Sequence, residues 1–404
     1  MFGIRKIFII SFVLLNLINW EILIENKYGF PQIVKYVLVL VYLTIFTVFI
    51  IVKRSCIDKR ELLHPFTLWF ILWSSFLIIS SFFGIEDPLF FQRLFADRFF
   101  FLPYLLPILI LFMKFDLEFF KYYYKFTSGL LTIAIIIEIY TILFNISVTD
   151  WLEHMERINI FNIGACFLLL TSHFSKNKST TAKVLIFYAL YIVIALIYGR
   201  RGLVINALLL ILVMLYFRLR SPLLNIRYRM SVYLSGIVFI IMIIIFGYTL
   251  TNTYAFERGF SKDAFNESRG LVFRDFNEDF DTAQEWIFGR GIEGRVYRAI
   301  YSHTQSLDIV EHGYRTLILR GGLLYLIPFS LIFLRAIYLG FLQSKNELIK
   351  ALASILVIHL IMMFYFNLPD FSSYYILVWI SIAVCFNSKM RGYTNEEIYH
   401  ALNR

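Results

Sequence analysis

Gly199-Arg200-Arg201-Gly202 places two adjacent arginines between apolar runs. A guanidinium is a planar fork of donors that grips a phosphate through paired bonds, and a helix opening at Gly202 would add its partial positive charge. The alternative is a tight helical hairpin whose arginines reach into lipid headgroups. A second basic pair lies in Glu267-Ser268-Arg269-Gly270-Leu271-Val272-Phe273-Arg274, at an expected helix start. Five residues apart, Arg269 and Arg274 do not share a helical face well. Either suits a polyanionic headgroup, while a surface ion pair with Asp275 or Glu278 is the plainer use.

The third stretch, Asp308-Ile309-Val310-Glu311-His312-Gly313-Tyr314-Arg315, adds acid–base groups to cationic ones. In a helix, Asp308, Glu311, His312 and Arg315 would form one stripe. A carboxylate beside an imidazole at a membrane boundary could deprotonate a hydroxyl as general base; a solvated helix entrance with an internal ion pair is the competing reading. Arg320 follows inside an apolar run, before Gly321 and Gly322, which let another helix or a ligand come close. Charge at such depth is a functional hypothesis by default, with snorkelling to the interface as its rival. Glu138 is the other deep charge. His303, Asp308 and His312 match no strong metal-ligand spacing, and Cys56, Cys166 and Cys385 fall in separate segments, so no metal and no cofactor are expected.

These residues need elements to position them, and the composition says which kind. Of 404 residues, 59% are apolar, 19% aromatic and only 16% charged, with a mean hydropathy of +0.72. A soluble domain carries about 25% charged residues. Repeated apolar runs of about 20 residues are long enough to cross a hydrocarbon core. The expected class is therefore an all-α polytopic membrane protein. Twelve spans are expected, near 4–24, 32–52, 66–85, 99–113, 128–146, 158–174, 184–198, 202–217, 231–251, 316–338, 348–366 and 373–387. The fourth carries Pro103 and Pro107, tolerated in membrane helices when neighbours satisfy the freed carbonyl.

The formal charge of +10 invites a nucleic-acid reading, but the distribution of basic residues speaks for topology. Arg5, Lys6, Lys53, Arg54, Lys59, Arg60, Lys114, Lys121, Lys125, Lys176, Lys178 and Lys183 fall on one side of the twelve-span layout. So do Arg218, Arg220, Arg227, Arg229, Arg335, Lys345, Lys350, Lys389, Arg391 and Arg404. Short loops on the other side hold Lys27, Arg93, Arg98, Arg157, Arg200 and Arg201. Both termini are expected in the cytoplasm, the first segment is expected as an uncleaved anchor, and nothing warrants nucleic-acid binding. The expected organisation is a membrane bundle over 1–251, a large outer loop over 252–315, a second set of spans over 316–387 and a cytoplasmic tail over 388–404. The large loop mixes eight basic and eleven acidic residues with Phe, Tyr and Trp, as a folded, partly helical unit packed on the bundle would.

The layout resembles the O-antigen polymerase and O-antigen ligase family of bacterial envelope glycan assembly. Three stretches carry the likeness: Arg201-Gly202 opening an outer-side helix, Arg269 followed by Trp286-Ile287-Phe288-Gly289-Arg290-Gly291, and Glu311-His312-Gly313-Tyr314 running into Leu319-Arg320-Gly321-Gly322-Leu323. The resemblance implies a metal-independent, inverting glycosyltransferase of the C-type membrane class, in the inner membrane with its site on the outer face. It implies substrates carried on undecaprenyl pyrophosphate and a chain-length regulator as a further partner. Arg201 and Arg269 would hold the pyrophosphate, aided by Arg200, Arg274, Arg315 and Arg320, and His312 or Glu311 would activate the acceptor hydroxyl. Ligases of the family usually place Asn after the histidine, where this chain has Gly313. Glu311 before His312 is associated more with repeat-unit polymerases. The arginine-x10-glycine motif of some polymerases is absent, since Leu212 and Phe280 stand eleven residues after Arg201 and Arg269. Polymerisation of lipid-linked repeat units is the expected activity. The alternatives are a ligase acting on the finished chain and a lipid-linked oligosaccharide transporter without chemistry; the transporter should line its bundle with charge, whereas here charge gathers at the faces.

Overall fold

A computed structural model describes residues 37–45, 58–83, 100–113, 115–144, 165–174, 178–197, 201–220, 269–297, 310, 312–364 and 370–403. The helices are α1 (Pro65–Ser80), α2 (Leu102–Leu111), α3 (Leu117–Phe144), α4 (Lys178–Ile197), α5 (Arg201–Arg220), α6 (Arg269–Asp279), α7 (Ala283–Phe288), α8 (Gly313–Leu342), α9 (Glu347–Met362), α10 (Ser373–Cys385), α11 (Ser388–Gly392) and α12 (Asn395–Asn403). Shorter helical pieces cover 37–45, Lys59–Leu62 and Ala165–Phe174. No extended strand occurs among the described residues, so the all-α class holds there.

Two helices, Gly202–Arg220 and Gly313–Leu342, are long and apolar enough to cross a membrane. α1, α2 and α10 are apolar but shorter. Described helices overlap the third to eighth and the tenth to twelfth expected spans. The first and ninth lie outside the described residues, and the second is described only over 37–45. Large apolar side chains point outward along these helices, among them Leu72, Phe76 and Ile79 on α1, Ile136 on α3, Leu212 on α5 and Leu334 on α8.

Local chemistry sets the helix ends. Pro65 occupies the first turn of α1, where its missing N–H costs nothing, and the His64 ring caps that turn by accepting from the Phe66 N–H. Ser372 caps α10 by accepting from the Tyr375 N–H at 3.2 Å, and Thr282 caps α7 through the Glu285 N–H. Pro103 sits at the start of α2 and Pro107 inside it.

The chain forms two compact units. The first comprises residues 1–115, 267–343 and 359–391, so it gathers α1, α2, α6, α7, α8, α10 and α11. Its core is aromatic: Phe70 stacks on Trp379 with centroids 5.0 Å apart and touches Tyr325, while Phe329 packs on Phe333 at 4.5 Å. Arg335 holds the buried Glu61 through Nε at 2.5 Å and Nη2 at 3.0 Å. The second unit comprises 116–266, 344–358 and 392–404, with α3, α4 and α5 packed in succession and α12 docked on α3. Within it the buried Arg218 donates to Ser172 at 2.8 Å and to Thr181 at 3.0 Å, and His173 Nε2 lies 3.0 Å from Glu347.

The large loop is partly helical where it is described. Phe276, Phe280 and Val296 bury themselves with Val310, Ile318 and Leu319 at the start of α8, and Phe273, Trp286 and Leu326 pack against them. The loop thus carries its own apolar core and seats it on a helix that could cross a membrane.

Candidate functional site

The long helix α8 breaks at Gly322, whose φ of 65° lies in the left-handed region. A side chain there would be strained. It would also collide, because a Cβ built on Gly322 falls 2.1 Å from the Ile287 carbonyl oxygen. Opposite, Gly289 has φ 73°, and its Cβ would lie 2.6 Å from Gly322 N. The two glycine motifs therefore face each other, backbone against backbone. Their polar groups are exchanged rather than wasted: the Arg290 N–H donates to the Leu319 carbonyl at 2.7 Å, and the Trp73 indole N–H donates to the Gly321 carbonyl at 2.8 Å. A broken helix in an apolar setting needs such substitutes for its own lost bonds.

Arg290 then ties the loop to itself. Its Nε donates to Glu285 at 2.8 Å, Nη1 to Asp279 and to the Arg295 carbonyl, and Nη2 to the Asp279 carbonyl at 2.6 Å. The Asp279 carboxylate also accepts from the Tyr297 N–H at 2.9 Å. The guanidinium lies over Phe280, 4.8 Å from its centroid. Burial opposes the charge of Glu285, yet bonds from Arg290 and Thr282 and the charge of Arg290 hold its carboxyl below the ordinary range. This network occupies Arg290 fully as a structural clamp. Asp279 and Glu285, eleven and five residues earlier, become its partners through the fold of α6 and α7.

At the start of α8, His312 is extended, with φ −158° and ψ 112°, and Val310 is non-helical. His312 thus stands outside the helix that holds Arg315, while Asp308 and Glu311 of the expected stripe lie outside the described residues. The reason is local: His312 serves as the N-cap, its Nδ1 accepting from the Arg315 N–H at 3.4 Å, and Thr316 Oγ1 turns back to the Val310 carbonyl at 2.9 Å. An imidazole that caps through Nδ1 keeps its lone pair there and carries its proton on Nε2.

The cap brings His312 and Arg315 together in another way. The Arg315 guanidinium lies flat over Phe273, 3.7 Å from the centroid, with Phe276 at 5.8 Å. Its Nη1 is buried and has no hydrogen-bond partner among the described residues. On the far edge of Phe273 stands His312 at 5.3 Å, and beyond it Phe364 at 5.7 Å. Tyr314 packs on Phe364 at 4.8 Å and donates to the Leu360 carbonyl at 2.7 Å, while the Gly313 N–H donates to the Met363 carbonyl at 2.8 Å. An arginine stacked on an aromatic ring loses little further freedom on binding and presents its remaining donors to an anion.

The other expected site residues fall as follows. Arg274 is exposed on α6. Arg320 is buried within the first unit, where its charge acts on the Tyr104 hydroxyl. Arg269 is the first residue of α6 in the first unit, and Arg201 the first residue of α5 in the second. The side chains of Arg201, Arg269 and Glu138 lie outside what is described, as do Arg200, His303, Asp308 and Glu311 altogether. Phe273 and Phe364 were missed in the sequence, where phenylalanine is abundant and nothing local marks these two. The chain matches no protein-family model, and no curated protein is significantly similar to it.

Proposed function

We propose that this protein is a membrane glycosyltransferase that joins lipid-linked oligosaccharide repeat units into a longer glycan. The observation that supports the reading is Arg315: a cation stacked on Phe273, whose buried Nη1 has no hydrogen-bond partner among the described residues, beside His312 at the mouth of a helix long and apolar enough to cross a membrane. Such a group suits a phosphate at the end of a membrane-embedded carrier. In this reading twelve spans sit in a bacterial cytoplasmic membrane with both termini inside, and the exposed apolar faces meet lipid. The loop and the start of α8 face outward, with undecaprenyl-pyrophosphate-linked glycans as substrates and a chain-length regulator as partner.

The reaction would form a bond between the acceptor hydroxyl oxygen and the donor anomeric carbon as the bond to the carrier pyrophosphate breaks. The acceptor proton passes to Glu311, because the His312 Nδ1 lone pair is engaged by the helix cap; His312 Nε2–H donates to a phosphate oxygen instead. Arg315, with Arg269, Arg274 and Arg320 of the same unit as further cations, offsets the charge that develops on the leaving pyrophosphate. The test is the surface glycan of cells lacking the protein, complemented with wild type, Arg315→Ala, Arg269→Ala, Arg201→Ala or His312→Ser at matched membrane levels. A ladder lost while single repeats still reach their acceptor supports polymerisation. Long chains retained on the carrier with none attached would make it a ligase, and full rescue by every variant would remove the site.

A further inference from the structure

Beside the Arg315 cation the first unit carries an aromatic wall whose far end is open. Phe273 and Phe364 flank His312 at centroid distances of 5.3 and 5.7 Å, both meeting its ring edge-to-face at 86° and 90°. Tyr314 packs on Phe364 with centroids 4.8 Å apart, and its hydroxyl is fixed by the Leu360 carbonyl at 2.7 Å. Phe364 is nevertheless 55% exposed, although it stands against two other rings. The wall is therefore anchored on one side and uncovered on the other, and it begins beside the Arg315 guanidinium, whose buried Nη1 has no hydrogen-bond partner among the described residues.

The occupant must answer both features at once. A lipid chain would cover Phe364 but give nothing to Arg315. An inorganic anion would satisfy Arg315 but leave the ring bare. A pyranose bonded to a phosphate does both: the phosphate accepts from Arg315, and the apolar C–H face of the sugar lies on an aromatic ring, where burial of that face and the ring quadrupole favour it. We propose that Phe364, held by Tyr314, is the platform for the sugar ring directly attached to the phosphate that Arg315 binds, and so a determinant of which first sugar is accepted. This rests on the reading of Arg315 as a phosphate ligand.

Two probes separate the claims: inorganic phosphate and N-acetylglucosamine 1-phosphate, titrated calorimetrically onto the full chain in phosphatidylcholine nanodiscs. The expected result is that wild type prefers the sugar phosphate. Phe364→Leu should weaken the sugar phosphate about three- to tenfold, the range of one aromatic contact, and leave inorganic phosphate unchanged. Phe364→Trp should keep the preference, which guards against a variant that merely misfolds. Tyr314→Phe, which loses the Leu360 bond but not the ring, should reduce it partly. Equal weakening of both probes by Phe364→Leu, or no change in either, overturns the platform while leaving the phosphate site intact. If Arg315→Ala binds inorganic phosphate as wild type does, the phosphate reading fails instead; if wild type binds neither probe, both fall.

Discussion

Replacing Gly322 by alanine tests the docking of the large loop on α8 most directly. The left-handed φ of 65° costs a β-carbon about 1–2 kcal/mol. That carbon also falls 2.1 Å from the Ile287 carbonyl oxygen, a backbone atom that cannot swing aside as a side-chain end would. The loop must retreat, which breaks the Arg290 N–H bond to Leu319, at about 1 kcal/mol, and loosens Trp73 on Gly321 by a similar amount. The sum is roughly 3–4 kcal/mol of local stability, or an increase in amide exchange of about two to three orders of magnitude. Gly291 is the control. Its φ is 80°, but nothing lies within 4 Å of a Cβ built there, so Gly291→Ala carries strain alone and should raise exchange about tenfold. Hydrogen exchange on the purified protein in nanodiscs, followed over peptides spanning 279–297, reads both. Equal effects of the two substitutions, or protection of the loop unchanged by Gly322→Ala, would refute the argument that a backbone-to-backbone contact seats the loop.

Arg290→Lys should cost the loop about 2–4 kcal/mol, nearly as much as Arg290→Ala, because an ammonium cannot reach Asp279, Glu285 and Arg295 together; proteolysis within 279–297 would report it. The pH dependence follows from Glu285. Its folded carboxyl is held below the ordinary range, so its contribution is complete above the ordinary carboxylate pKa and is lost as pH falls through the lowered value. Loop protection, corrected for intrinsic exchange, should hold from neutral pH down to the ordinary carboxylate range and decline below it, and Glu285→Gln should flatten that decline. His312→Ser keeps a cap donor-acceptor pair and should change thermal stability by less than about 1 kcal/mol while abolishing glycan extension; loss of stability with retained activity would reverse the assignment. Trp73→Phe should lower stability by about 1 kcal/mol through the indole bond to Gly321, without altering phosphate binding at Arg315.

The helical class, the positions of most described helices and the close approach at Gly321 and Gly322 were legible in the sequence. Apolar runs of membrane length can satisfy their backbones only as helices, and glycine before or after a buried charge marks a close approach. The helix start expected around Arg269 is where α6 begins. What the sequence could not contain was the partner of each group. Arg290 and Arg315 both sit among acids and aromatics in the sequence, yet one is bound by Asp279 and Glu285 and the other lies on Phe273 with a buried nitrogen that has no partner among the described residues. Likewise helical spacing would put His312 and Arg315 on one stripe, whereas His312 is extended and caps α8, which begins only at Gly313. Periodicity fixes which face a residue occupies within its own helix. Which cation is spent on structure, and which is left for chemistry, depends on distances across elements that only the packed chain sets.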